Sequence, residues 1–126
     1  RVKDAGTLEA AYNDPEGITA QFNLNLLARL NRELDATFKL DQFRHQAWWN
    51  AAESRIEMHL ESRFTQDVIV ADKPFHFDVG ETIWTESSYK YDREMLDALV
   101  SEAGFGVTCL WTDPDERFWV AFLDAN

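Results

Sequence analysis

The chain has 126 residues, with 12 Lys and Arg against 23 Asp and Glu, a net charge of −11 at neutral pH. That balance argues against a nucleic-acid partner, because such affinity comes from Lys and Arg neutralising phosphates. A 45% hydrophobic and 13% aromatic content argues for a packed core rather than disorder, and the longest apolar run, Phe118 to Leu123, is far short of the roughly 20 residues of a membrane span.

Leu8 to Tyr12 reads as a short helix ended by Asn13-Asp14-Pro15. Asp14 is expected to cap the next helix, with Pro15 at its first position, where a missing N–H costs nothing. Ile18, Phe22, Leu26, Leu30 and Leu34 recur every four residues, with Leu27 beside them. That is the stripe of an amphipathic helix over Pro15 to Leu34, with the stripe facing the core. From Ser54 to Phe64, apolar Ile56, Met58, Leu60 and Phe64 alternate with Arg55, Glu57, His59, Glu61 and Arg63. Period two predicts a strand with one buried and one wet face. Phe43 to Trp49 is its hairpin partner through Asn50-Ala51-Ala52-Glu53.

Val68 to Val70 and Phe75 to Phe77 form a second predicted hairpin, turning at Ala71-Asp72-Lys73-Pro74. Thr82 to Tyr89 is a further strand, rich in Thr, Ile, Trp and Tyr. Asp92 caps a third helix whose stripe is Met95, Leu96, Leu99, Val100 and Ala103, with Gly104 just past its end. The last hairpin joins Val107–Trp111 to Phe118–Leu123 through Asp113-Pro114-Asp115. It is apolar at nearly every position, the pattern of strands covered on both faces. The fold class is therefore α+β: helices, then a mostly antiparallel sheet, then a C-terminal helix and hairpin belonging to a different sheet.

Most standard constellations are missing. His45, His59 and His76 show no metal spacing and read as solvated or hydrogen-bonded side chains. Cys109 lies among apolar residues and reads as core packing. As the lone cysteine it precludes an internal disulfide and fits a reducing compartment such as the cytoplasm. Gly104-Phe105-Gly106 follows a helix and enters a strand, the wrong order for a phosphate loop. Two features stand out. On the Thr82–Tyr89 strand, period two places Thr82, Trp84, Glu86 and Ser88 on one face. A carboxylate between an indole and a hydroxyl suits an N–H-bearing ligand, or is simply a wet face. Tyr12 closes the first helix, where a tyrosine also commonly plugs the core edge.

Four segments share a resemblance. They are Ala10-Ala11-Tyr12-Asn13-Asp14 with Gly17 to Asn25; Arg55-Ile56-Glu57-Met58-His59-Leu60; Gly80 to Ile83 with Thr85 to Tyr91; and Ala103-Gly104-Phe105 to Asp113. Together they resemble the histidine-specific, S-adenosylmethionine-dependent methyltransferases, among them the histidine Nα-methyltransferases of ergothioneine biosynthesis. The resemblance implies a C-terminal portion. Residues 1–91 would be the substrate-recognition domain, and residues 92–126 the last helix and hairpin of a Rossmann-type methyltransferase core. The cofactor-binding half would precede Arg1, in keeping with the missing initiator Met, so S-adenosylmethionine is expected in the complete enzyme and not on this segment. The isolated chain is expected to be inactive, with no catalytic, cofactor-binding or metal-binding residue of its own.

By the same resemblance, Tyr12 holds the substrate carboxylate, Met58 packs near its ring, and Glu86 with Ser88 hydrogen-bonds the imidazole nitrogens of histidine. Met58 lies on the apolar face of its strand, where core packing is the other reading. The chain departs from the family pattern at Ser87, where Asn is expected, and at Trp84, where a smaller polar ring is expected. Trp84 beside Glu86 would alter the pocket size, which leaves another aromatic amino acid as the alternative to histidine. A free-standing ligand-binding or interaction domain derived from such an enzyme is the alternative function.

Overall fold

The computed structural model describes all 126 residues, Arg1–Asn126. In chain order it runs α1 (Ala5–Tyr12), α2 (Ile18–Leu34), a 3-10 turn (Leu40–Gln42), β1 (Phe43–Asn50), β2 (Arg55–Ser62), β3 (Gln66–Val70), β4 (Lys73–Phe77), β5 (Thr82–Tyr89), α3 (Arg93–Glu102), β6 (Phe105–Thr112) and β7 (Trp119–Ala125). The strands form three antiparallel sheets: β1-β2-β5, the β3–β4 hairpin and the β6–β7 hairpin. The last hairpin thus stands apart from the main sheet, and α3 packs on β6. No helix is long and apolar enough to cross a membrane.

Carboxylates set the helix starts. Asp4 accepts from the Thr7 amide at 2.9 Å and Asp92 from the Met95 amide at 2.9 Å, as N-caps do. α2 begins later than its sequence suggests, at Ile18 rather than Pro15. A turn closed by Gly17 N–H to Asp14 C=O (2.9 Å) comes first, and Gly17 takes a left-handed φ of 73° that a residue with a Cβ resists. Across this turn the Asp14 carboxylate still accepts from Ile18 and Thr19 amides at 2.7 and 2.9 Å. Asp14 therefore caps the helix from one turn away.

α2 is also rotated from the expected orientation. Asn23 and Leu27 are its buried residues, while Ile18 and Phe22 are 60% and 67% exposed. The line through Asn23 and Leu27 meets the sheet, and Ile18, Phe22 and Leu26 run along the rim. Leu27 joins Phe38, Phe43, Leu60 and Val68 in the main core. Phe43 packs edge-on against Phe38 and Phe77, with ring centroids 5.5 and 5.6 Å apart. A second cluster of Leu8, Ala47, Ile56 and Met58 lies beneath α1, with Tyr12 and Trp49 packed on it.

β2 is the central strand, and both of its faces are covered: Glu57 and His59 are buried along with Ile56, Met58 and Leu60. The wet face expected here is absent because side chains from β1 and β5 roof it. Trp48 and Trp84 stack on either side of His59, at 4.0 and 5.7 Å between centroids. Arg55 lies over Trp84 and binds Glu57. The Glu57 carboxyl is held below its usual range, first by the Asn50 amide and then by Arg55 and His59.

Two other expectations change. Pro74 is not in a turn but in β4, opposite Ile69; Ala71 and Asp72 alone make the turn, both at left-handed φ. β4 pairs only with β3, and an edge strand tolerates a residue without an N–H. Cys109 is exposed. Its hairpin has a two-stranded sheet to itself, and its partner Phe122 is exposed too, so that face has nothing to pack against.

Candidate ligand-binding site

α1 and α2 pack on the inner face of the β1-β2-β5 sheet, where Tyr12 meets Ser88 and Met58 lies opposite Glu86. The free edge of β1 holds α1 in place: Trp49 N–H donates to Glu9 at 2.9 Å, and Asn13 donates to the Ala47 carbonyl at 2.8 Å. A buried polar chain secures the end of the helix. Asn23 donates to the His59 carbonyl (3.1 Å) and to His45 Nδ1 (3.0 Å). His45 Nδ1 then accepts, so Nε2 carries the hydrogen that it donates to the Tyr12 carbonyl at 2.8 Å. This chain fixes Tyr12 over the sheet.

β5 supplies the other side of the site, and its register decides which residues face inward. Met58 pairs with Glu86 and His59 with Trp84, so Thr85 is the extra residue of a β-bulge. Its hydroxyl donates to the Met58 carbonyl at 3.0 Å. Beyond the bulge, Glu86 and Ser88 lie over Met58 and Ile56 on the inner face. Before it, Trp84 and Thr82 fall on the outer face with His59 and Glu61. The grouping of Trp84 with Glu86 expected from strict alternation is therefore wrong, because one bulged residue inverts the faces of everything before it.

The Tyr12 hydroxyl and Ser88 Oγ are 2.8 Å apart. Met58 is buried in the cluster beneath them, opposite Glu86 across the strands. Glu86 lines a cavity of about 270 Å³ with Phe22, Asn23, Leu26, Arg29 and Thr85. Tyr12 lines a second, of about 300 Å³, with Lys3, Thr7, Lys90 and Arg117. The two cavities share no lining residue; Ser88, on the same face of β5 as Glu86, stands beside Tyr12, so that face has a carboxylate and an aromatic ring at the Glu86 end and a basic, hydroxyl-bearing end at Tyr12. An N–H-bearing ring suits the first end and an anionic group the second.

Sequence reasoning missed Asn23, His45, Phe22 and Lys90. Asn23 carried a signal, as an amide in line with the helix's core residues. Phe22 was assigned to the core and instead borders the Glu86 cavity.

Residues 1–125 match the family model described as histidine-specific methyltransferase, SAM-dependent. This chain belongs to that family. It is 50% identical over 119 residues to a histidine N-alpha-methyltransferase of Mycolicibacterium smegmatis, and 48% identical over 114 residues to one of Mycobacterium tuberculosis. Those alignments take in 93% and 89% of the chain but only 37% and 36% of the two relatives, so it spans little more than a third of their length. The family works with S-adenosylmethionine. In this methyltransferase-family chain no glycine joins a strand to a following helix, the setting in which a Gly-rich turn cradles a nucleotide cofactor.

Proposed function

We propose that the chain is the amino-acid-binding portion of a histidine Nα-methyltransferase. One observation carries this reading: the β2–β5 register sets Glu86 and Ser88 on the inner face over Met58 and Ile56, with the Tyr12 hydroxyl against Ser88. In this reading the imidazole lies at the Glu86 end between Phe22 and β5, and its N–H donates to the carboxylate. The amino-acid carboxylate lies at the Tyr12 end. With Trp84 on the outer face, its indole does not reshape the Glu86 pocket, so the departure from the family pattern at this position gives no reason to set histidine aside.

In the complete enzyme, S-adenosylmethionine would supply an electrophilic methyl group. The residues here orient the α-amino group towards it, and positioning is the main contribution to such a displacement. Repeated transfer would give the Nα-trimethylated product of an ergothioneine-type pathway. The α3-β6-β7 unit would complete the Rossmann-type core; its exposed Trp111, Phe118, Val120 and Phe122 give the rest of such a core an apolar surface to cover. The free thiol of Cys109 suits a cytoplasmic enzyme.

The test is Glu86→Gln in the full-length enzyme. A hydrogen bond to a charged group contributes about 1.5–3 kcal/mol, and the exposure of Glu86 in this chain points to the lower end. Histidine affinity is expected to fall about tenfold. Unchanged affinity, measured by calorimetry, would remove Glu86 from the site and the reading with it.

A further inference from the structure

We propose that Lys90 is a positioning residue of this site, setting the direction of both ligand-facing hydroxyls. The inference deepens the reading of Tyr12 and Ser88 as substrate-binding groups and rests on it. Lys90 follows β5 directly, and its backbone is held on both sides by the β1–β2 turn. Its N–H donates to the Ser54 carbonyl at 2.8 Å, and its own carbonyl accepts from Ser54 Oγ at 2.7 Å. From this fixed point the ammonium donates to the Tyr12 hydroxyl at 2.7 Å and to Ser88 Oγ at 2.6 Å, and it lies 4.8 Å from the centre of the Tyr12 ring. Neither partner is a carboxylate. The surrounding cavity adds Arg1, Lys3 and Arg117, a concentration of positive charge in a chain of net charge −11.

Hydrogen counting gives the consequence. An ammonium has three donors and no acceptor, and a hydroxyl has one donor. With Lys90 donating to both oxygens, the 2.8 Å contact between Tyr12 and Ser88 uses one of the two O–H groups. Whichever hydroxyl donates there, the accepting oxygen has both lone pairs filled and its own O–H left to point outward. Three of the four hydroxyl lone pairs are then filled, so the triad presents a free O–H and a positive charge against a single open lone pair, and is predominantly a donor. Serine alone is ambivalent, able to donate or accept; Lys90 tilts that balance towards donation. The ligand group seated against the triad is then a hydrogen-bond acceptor, a carboxylate or the lone-pair nitrogen of a neutral imidazole, and a cationic group is rejected.

The experiment uses the full-length enzyme, with histidine binding read by calorimetry and methyl transfer by turnover. Lys90→Met, similar in length without charge or donors, is expected to weaken histidine binding about tenfold. The loss should fall on KM for histidine more than on kcat, with the melting temperature close to wild type. Lys90→Arg, whose fork still reaches two oxygens, should recover most of the lost affinity. In a Tyr12→Phe/Ser88→Ala background, Lys90→Met should change binding less than about twofold, because groups acting as a unit are not additive. A full further loss in that background would overturn the proposal, since Lys90 would then act without the hydroxyls. If Glu86→Gln and Tyr12→Phe/Ser88→Ala leave binding unchanged, the amino-acid site itself is misplaced. If they weaken it and Lys90→Met does not, the role of Lys90 alone falls.

Discussion

Asp14 shows how one side chain acts at a distance along the chain. Its carboxyl pKa is lowered from 3.8 to about 2, first by Thr19 and then by the Ile18 amide. A carboxyl whose folded-state pKa is depressed stabilises the fold above its unfolded value and loses that contribution as pH falls through the folded one. Asp14→Ala should therefore lower the melting temperature by a few degrees near neutral pH. The difference should shrink between about pH 4 and pH 2 as the wild-type carboxylate protonates. Thermal scans of both proteins across that window check it; an equal gap at both ends would show that the cap acts without its charge. Tyr12, Glu86 and Ser88 are local in the sense that their residue types already carry the chemistry. Lys90 is not, because its role exists only once α1 brings Tyr12 within reach.

The element that matters most is β5. A run of eight residues with period two looks regular from Thr82 to Tyr89, but opposite β2 one residue is in excess. Deleting Thr85 should leave Glu86 facing Met58 and Trp84 facing His59 in an uninterrupted ladder, since the bulged residue has no partner. Such a variant is expected to fold and to retain histidine binding, losing only the Thr85–Met58 hydrogen bond. Loss of binding with the fold intact, measured by calorimetry beside circular dichroism, would show instead that the local bend of the bulge aims Glu86. The same scale explains α2. Its four-residue repeat is visible in the letters, but which strip meets the sheet depends on Asn23 bonding His45 and the His59 carbonyl. That anchor turns Phe22 outward to the cavity that Glu86 lines.

Across the molecule, 14 of 126 residues are buried, few for a chain with this apolar content. The uncovered surface concentrates on the β6–β7 hairpin, at Phe105, Trp111, Phe118, Val120, Phe122 and Leu123, and along the α2 rim. Contiguous apolar patches of this kind mark surfaces that another part of a protein covers. The 126-residue chain by itself should bind a hydrophobic dye such as anilinonaphthalene sulfonate in its native state and self-associate with rising concentration. A dye-silent, monomeric chain in fluorescence and size-exclusion measurements would contradict that expectation.

The order of helices and strands, the hairpin pairings and the β5 run could be read directly from residues 1–126, because side-chain period and turn residues are properties of short segments. Membership of the methyltransferase family was legible for a related reason: its motifs are short runs with fixed residue types. The faces of β5, the rotation of α2, the covered outer side of β2 and the exposure of Cys109 could not be read that way. Each depends on how many residues stand opposite one another on different strands, or on whether a second layer is present. The Lys90–Tyr12–Ser88 triad belongs to the same class. Ser88 and Lys90 are 76 and 78 residues from Tyr12 in sequence, and only the packing of α1 on β1 and β2, with β5 alongside, makes them one group.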